Sequence, residues 1–197
     1  MEVLIVSKTK LGENFCMGGI ELKTNKYIRL LDQYGRYQPL NTPFRVGQVW
    51  DMDYVESPGK PPHIEDVKVS RYLYVTSVDA NQYIINNCKI WQGDLTVLYD
   101  SKLKWENGSG YLNDPNNLPD NSVGFWQSDK DLVLEYGYYV YNYNTIFKRN
   151  KRVRYKGVDE PISVIKANTL IRVSLAKWWM KDQNTESRCY LQLSGWY

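Results

Sequence analysis

The sequence predicts an all-β protein. Short β-branched or alternating runs punctuated by turn residues recur through both halves. No convincing long amphipathic helix interrupts them, and the aromatic residues are mostly amphipathic ones. Seventeen Tyr and seven Trp stand against four Phe, a bias that suits half-buried strands and interfaces better than a wholly apolar interior.

Five runs fill the first half: Val3 to Ser7, Cys16 to Leu22, Tyr27 to Leu31, Val46 to Val55 and Val67 to Val78. The Thr24-Asn25 step between the second and third is a hairpin signal. The SPGKPPH stretch between the fourth and fifth reads as an exposed loop. Five strands are the count of an OB-type barrel. The Gly18-Gly19 pair lies inside a strand pattern with no helix after it, so it reads as a bulge or bend rather than a phosphate loop.

From Asn81 to Lys130 the rhythm weakens, and LNDPNNLPDNS, residues 112–122, is loop by composition. Strands resume with Leu132 to Tyr143, Ile146 to Tyr155, Pro161 to Ile165, Leu170 to Lys177 and Arg188 to Leu193. Ile171, Val173 and Leu175 alternate with Arg172 and Ser174, so the segment before Trp178-Trp179 is read as strand although LAKWWMKDQ also fits a helical face. The expected organisation is a first barrel over 1–100, a polar loop-rich connection over 101–130, and a second barrel over 131–197 completed by strands from the connection. No internal repeat relates the halves.

The chain has 197 residues, 43% hydrophobic and 24% charged, which is ordinary globular usage. Its formal charge is only +3. Cys16, Cys88 and Cys189 are far apart without a CxxC pair, which suggests neither a disulfide framework nor a zinc site and fits a reducing cytoplasm. The opening MEVLIVSKT reads as a strand rather than a signal peptide. No apolar run approaches the roughly 20 residues that cross a bilayer. A cytoplasmic protein without membrane attachment is expected.

Charge is unevenly distributed. Within FKRNKRVRYKG, Lys148, Arg149, Lys151, Arg152, Arg154 and Lys156 put six positive charges into nine residues with no acid, and the rest of the chain sums to −3. Arg149-Asn150 reads as a hairpin turn. In the outgoing strand, Arg152, Arg154 and Lys156 share one face. Such a stripe tracks a phosphate backbone, and six neutralised phosphates of a single strand give a salt slope of roughly −4. Protection of an exposed edge by charge is the alternative.

Upstream, EYGYYVYNYN places Tyr139, Tyr141 and Tyr143 on one strand face and Tyr136 and Tyr138 on the other. Exposed rings stack bases and inward rings fill a core. For Trp178-Trp179 and the terminal LQLSGWY, alternation lets one of each adjacent aromatic pair face the core while its partner faces a ligand or the other half of the chain.

Catalytic alternatives are thin. His63, the only histidine, lies in the Pro-rich loop and reads as solvated, which excludes a multi-His metal site. Asp51 and Asp53 share a strand face and offer a sparse Mg²⁺ set, but alternation with Trp50, Met52 and Tyr54 is also the pattern of a half-buried strand. No enzyme activity, cofactor or metal is expected.

Taken together, VLIVSKT, CMGGIEL followed by YIRLLD, PFRVGQVWDMDY, PPHIEDV, LIRVSLAKWWM and RCYLQLSGWY resemble the dual OB-containing domain family of prokaryotes. The resemblance covers nearly the whole chain except its polar middle. It implies two OB-like antiparallel β-barrels packed in one compact unit, encoded among conflict or antiviral defence genes, with a role in nucleic-acid recognition or sensing. It brings no catalytic or binding residues with it.

The expected function is therefore a non-catalytic module for single-stranded or structured DNA or RNA. The basic hairpin, Tyr139, Tyr141 and Tyr143 would bind, and Lys8, Lys10, Arg29 and Arg71 would extend the site. The alternative is an adaptor that docks onto an ATPase or nuclease effector of the same defence system, consistent with the enrichment of Tyr, Trp and Arg at interfaces.

Overall fold

A computed structural model describes residues 1–145, 147–183 and 185–197. The chain divides into two compact units, Met1–Lys89 and Ile90–Tyr197.

The first unit contains β1 (Glu2–Leu11), β2 (Asn14–Glu21), β3 (Tyr27–Leu31), the short β4 (Gln38–Pro39), β5 (Gln48–Glu56), β6 (Asp66–Ser77) and helix α1 (Ala80–Asn87). All five runs expected in the first half are strands. Their pairing is a closed circuit, β1-β2-β3-β6-β5 and back to β1, in which only β3 and β6 run parallel. That order, with the third and fifth of the five long strands adjacent, is an OB-type barrel. Its interior is filled by Val3, Ile5, Met17, Leu30, Phe44, Met52 and Val67.

Closure depends on sharp bending of the first hairpin. The β1–β2 register slips between Ile5 and Ser7, opposite Gly18 and Gly19, as expected from the sequence. A Cβ at Gly19 would stand 2.6 Å from a Val3 methyl group and 3.3 Å from the Leu4 carbonyl oxygen. Only glycine lets the two strands approach this closely.

The second unit contains β7 (Ile90–Gly93), β8 (Lys104–Glu106), β9 (Ser109–Leu112), β10 (Val123–Ser128), β11 (Leu132–Glu135), β12 (Tyr138–Tyr141), β13 (Lys151–Tyr155), β14 (Val164–Ile165), β15 (Leu170–Leu175) and β16 (Cys189–Trp196). Its pairings repeat the circuit of the first unit once β10 and β11 are taken as two halves of one broken strand. β10 pairs with β15, β11 with β12, β12 with β13, β13 in parallel with β16, and β16 with β15. The break falls at Asp129–Asp131, whose side chains hold neighbouring segments. Asp129 accepts from the Tyr141 hydroxyl at 2.7 Å, and Asp131 accepts from Ala167 N–H at 2.9 Å.

The remaining strands are additions to this circuit. β7 lies parallel to β10, β14 pairs with β11, and the β8–β9 hairpin inserts β9 between diverging parts of β13 and β16. The division at Lys89/Ile90 therefore precedes the one expected near residue 100. Strands β8 to β10, within residues 101–130, and β7 before them are hydrogen-bonded parts of the second sheet. The stretch 113–122 is loop, as its composition indicates.

Two further expectations change. The run Leu132 to Tyr143 is a hairpin rather than one strand, because Tyr136 (φ 51°) and Gly137 (φ 79°) form its turn. Positive φ at both central residues matches the twist of the flanking strands. The next strand begins at Lys151, and Ile146, where it was expected to begin, lies outside the described residues. Leu170 onward is strand through Leu175, not helix.

Candidate nucleic-acid interface

Strand alternation on β12 and β13 divides their side chains into two sets. Tyr139, Tyr141 and Val153 point inward and are almost fully buried, at 0%, 2% and 1% exposure. The Tyr139 hydroxyl donates to Ile162 O at 2.9 Å, and its ring packs edge-on against Tyr155 and Trp196. Burial and the Asp129 carboxylate raise the Tyr141 hydroxyl pKa well above its ordinary value. Both rings are core, so neither stacks a base. The sequence places them correctly on one face but does not reveal that this face points inward.

Outward lie Tyr138, Arg152 and Arg154. Tyr138 stands opposite Arg154 in the register, and the two guanidinium carbons lie 4.8 Å (Arg152) and 5.9 Å (Arg154) from its ring centroid. Cation–π contact of this kind holds flexible arginines over a flat surface. Lys156 continues the stripe. Arg152, Arg154 and Lys156 make no ion pair among the described residues.

These residues form one wall of a cleft of about 620 Å³. The other wall is the loop between β15 and β16, where Lys177, Trp178 and Trp179 line it together with Tyr190 from β16. Trp178 is half-buried against the core, whereas Trp179 is 53% exposed and tilted against Tyr190, with centroids 6.2 Å apart. The adjacent tryptophans thus divide as alternation suggests, one inward and one toward solvent. A backbone bridge between Trp179 and Arg188 fixes the loop, and Arg188 is itself held by Glu106 and Glu186. Among the described residues, four cations and four aromatic rings line this cleft, and no carboxylate does.

The other basic residues lie elsewhere. Lys151 alternates to the inner side of β13, where its ammonium lies 4.7 Å from the Tyr143 centroid and 4.9 Å from that of Trp105. Lys148 and Arg149 sit in the exposed loop before β13, and with Lys151 and Tyr143 they line a separate cleft of about 330 Å³. Tyr143 is half-buried; its hydroxyl donates to Asp94 at 3.0 Å and accepts from Lys151 at 3.0 Å.

The four cations expected to extend the site belong to the first unit. Arg29 is paired with Asp66, brought beside it by the parallel β3–β6 register, and its side chain is only 13% exposed. Burial alone would lower its pKa, but the Asp66 carboxylate outweighs that and raises it. This is a structural ion pair, not a phosphate contact. Arg71 is engaged by Asp53 at 2.6 Å and Asp51 at 3.3 Å, and the same pairing holds the Asp53 carboxyl below its usual range. The two aspartates weighed as a sparse metal set thus face a guanidinium. Lys8 lies over the Phe15 ring at 4.1 Å, and Lys10 is exposed at the end of β1.

His63 is 3% exposed rather than solvated, because the Pro-rich loop folds back through Gly59 N–H to His63 O at 3.0 Å. Among the described residues no group of three or more His, Cys, Asp or Glu is placed to hold a metal ion, and no helix is long and apolar enough to cross a membrane.

Sequence reasoning missed the contribution of β8–β9. Ser109 lines the larger cleft, while Trp105, Asn107 and Gly108 line the smaller. The Asn107-Gly108 step is a hairpin signal that would have located the insertion.

In an OB barrel the face of the second and third strands, together with the loop between the fourth and fifth, is the surface that binds oligonucleotides and oligosaccharides. In the circuit of the second unit these are β12, β13 and the β15–β16 loop, the elements that bound the larger cleft. No curated protein and no solved structure matches the chain. The model of the dual OB-containing domain matches residues 1–196, so the chain belongs to the dual OB-containing domain family.

Proposed function

We propose that the second unit binds single-stranded nucleic acid in the larger cleft, as a non-catalytic recognition module of a prokaryotic defence system. One observation carries this reading: a cleft on the binding face of an OB circuit lined, among the described residues, by four cations and four aromatic rings without a carboxylate. Arg152, Arg154 and Lys156 neutralise successive phosphates, and the exposed Trp179 offers a face on which a base stacks. The defence setting is what the family resemblance of the sequence implies.

The test is a titration of single- and double-stranded DNA and RNA oligonucleotides against the wild-type chain and two variants. Reversing Arg152, Arg154 and Lys156 to Glu abolishes binding with the fold intact. Trp179→Ala weakens it by about 1 to 3 kcal/mol, the usual contribution of one stacked base. Unchanged affinity in both variants refutes the assignment.

A protein-docking role is the second reading, favoured by a different surface. Tyr72, Leu73, Tyr74 and Val75 on β6 are 44–62% exposed, and beyond Lys68 the strand has no pairing partner except β5 among the described residues. An unpaired apolar edge accepts an added strand. On this reading the partner is an ATPase or nuclease effector of the same system, and Leu73→Lys disrupts its co-purification without altering oligonucleotide binding.

A further inference from the structure

The smaller cleft lies on the other side of β13 from the proposed strand-binding face. Among the described residues its cations are Lys148, Arg149 and Lys151, and its one carboxylate is Asp94.

Lys151 is a positioned cation. The Tyr143 and Trp105 rings flank its ammonium, and the Tyr143 hydroxyl accepts one of its three donors. Burial lowers its pKa, with Asp94 opposing. Asp94 does not close the cleft with an ion pair, since it accepts from Thr96 N–H at 2.7 Å and from the Tyr143 hydroxyl at 3.0 Å. Lys148 and Arg149 are exposed and make no ion pair among the described residues. Three cations against one carboxylate leave an excess of two positive charges converging on one small space.

That excess discriminates between phosphate types. An internal phosphodiester carries a single negative charge and needs an open path for the chain on both sides. A terminal phosphate monoester carries about 1.5 to 2 negative charges at neutral pH and ends the chain. The cleft is about half the volume of its neighbour, and the β8–β9 hairpin lines both; at its turn Arg152 N–H donates to Gly108 O at 2.7 Å. Gly108 lines the smaller cleft and Ser109 the larger.

From this geometry we infer that the smaller cleft recognises a phosphate monoester, the terminal phosphate of a strand held in the larger cleft or that of a free mononucleotide. The strand-end version rests on the proposed function; the mononucleotide version does not.

The experiment compares oligonucleotides of one sequence carrying a 5′-phosphate, a 3′-phosphate or hydroxyls at both ends, together with a nucleoside monophosphate alone. Binding is read by calorimetry on the full chain. A phosphate on one end raises affinity about tenfold or more, as charge-assisted hydrogen bonds to an added anion do. The gain shrinks as pH falls below about 6, where the monoester loses its second charge. Lys148→Gln with Arg149→Gln, exposed loop changes that leave folding untouched, removes most of the gain while hydroxyl-ended strands bind as before. Lys151→Met removes the rest.

Equal affinity for all three strands, with no binding of the monophosphate, overturns the inference. So does a gain that survives the loop double variant. Monophosphate binding that persists in a chain with Arg152, Arg154 and Lys156 reversed to Glu supports this pocket even where strand binding fails. Failure of the proposed function is thereby separated from failure of the inference.

Discussion

The salt dependence of binding distinguishes one cleft from two. A single strand releases counterions so that log affinity falls with log salt by about 0.7 per neutralised phosphate. If all six basic residues of 148–156 contacted one strand, the slope would be roughly −4. The structure assigns only Arg152, Arg154 and Lys156 to the larger cleft, with Lys177 as a fourth lining cation, which gives about −2 to −3. Between about 50 and about 200 mM salt that is roughly a 20- to 50-fold loss of affinity, against roughly 300-fold for six contacts. Fluorescence anisotropy with a hydroxyl-ended oligonucleotide measures it directly. Replacing Arg152, Arg154 and Lys156 with Gln brings the slope to between about −1 and zero, and Lys148→Gln with Arg149→Gln leaves it unchanged. A wild-type slope near −4 that the loop variant reduces as much as the strand variant would refute the partition of charge between clefts.

The remaining predictions concern the frame that holds the clefts. Tyr141→Phe removes the hydroxyl that donates to Asp129 at 2.7 Å. Because Asp129 is exposed and rehydrates, the loss is about 1 kcal/mol by denaturant unfolding; no change would mean the bond does not brace the strand break. Gly19→Ala drives a methyl group to 2.6 Å from a Val3 side-chain carbon and costs about 1–3 kcal/mol, and an unaltered melting temperature would contradict the close approach of β1 and β2. Burial alone would raise the Asp94 carboxyl pKa, but bonds from Thr96 and Tyr143 and the Lys151 charge bring it below its ordinary value. Its stabilisation is therefore complete above about pH 4 and lost as pH falls through the lowered folded value. Thermal melts in acid show this decline in the wild type and less of it in Asp94→Asn; identical profiles would contradict it.

Much of the fold is legible in the sequence because strand patterns are local. The five first-half runs, the Gly18-Gly19 bend and the β15 strand all follow from alternation and turn chemistry within a few residues. The Tyr136-Gly137 turn is hidden because tyrosine is an unusual residue at positive φ, and the surrounding tyrosines continue the strand pattern through it. Inward or outward orientation of Tyr139 and Tyr141 depends on which face the rest of the unit covers, a non-local fact. Arg29 looks like a free cation until β3 and β6 pair in parallel and place Asp66 beside it. The basic segment is legible as a cluster, and alternation identifies Arg152, Arg154 and Lys156 as one stripe. Its division into two clefts depends on the β8–β9 hairpin inserted from upstream, where Ser109 pairs with Arg152.

On the proposed function, a strand bound by the second unit lies across the outer face of β12 and β13. Chemical-shift mapping of the isotope-labelled chain during titration with a single-stranded oligonucleotide tests it most directly. Binding there shifts the backbone of Arg152 to Lys156, the Tyr138 ring and the Trp179 indole N–H, and leaves Arg29 and Asp66 unmoved. Shifts confined to the first unit, or none at saturating oligonucleotide, would contradict it.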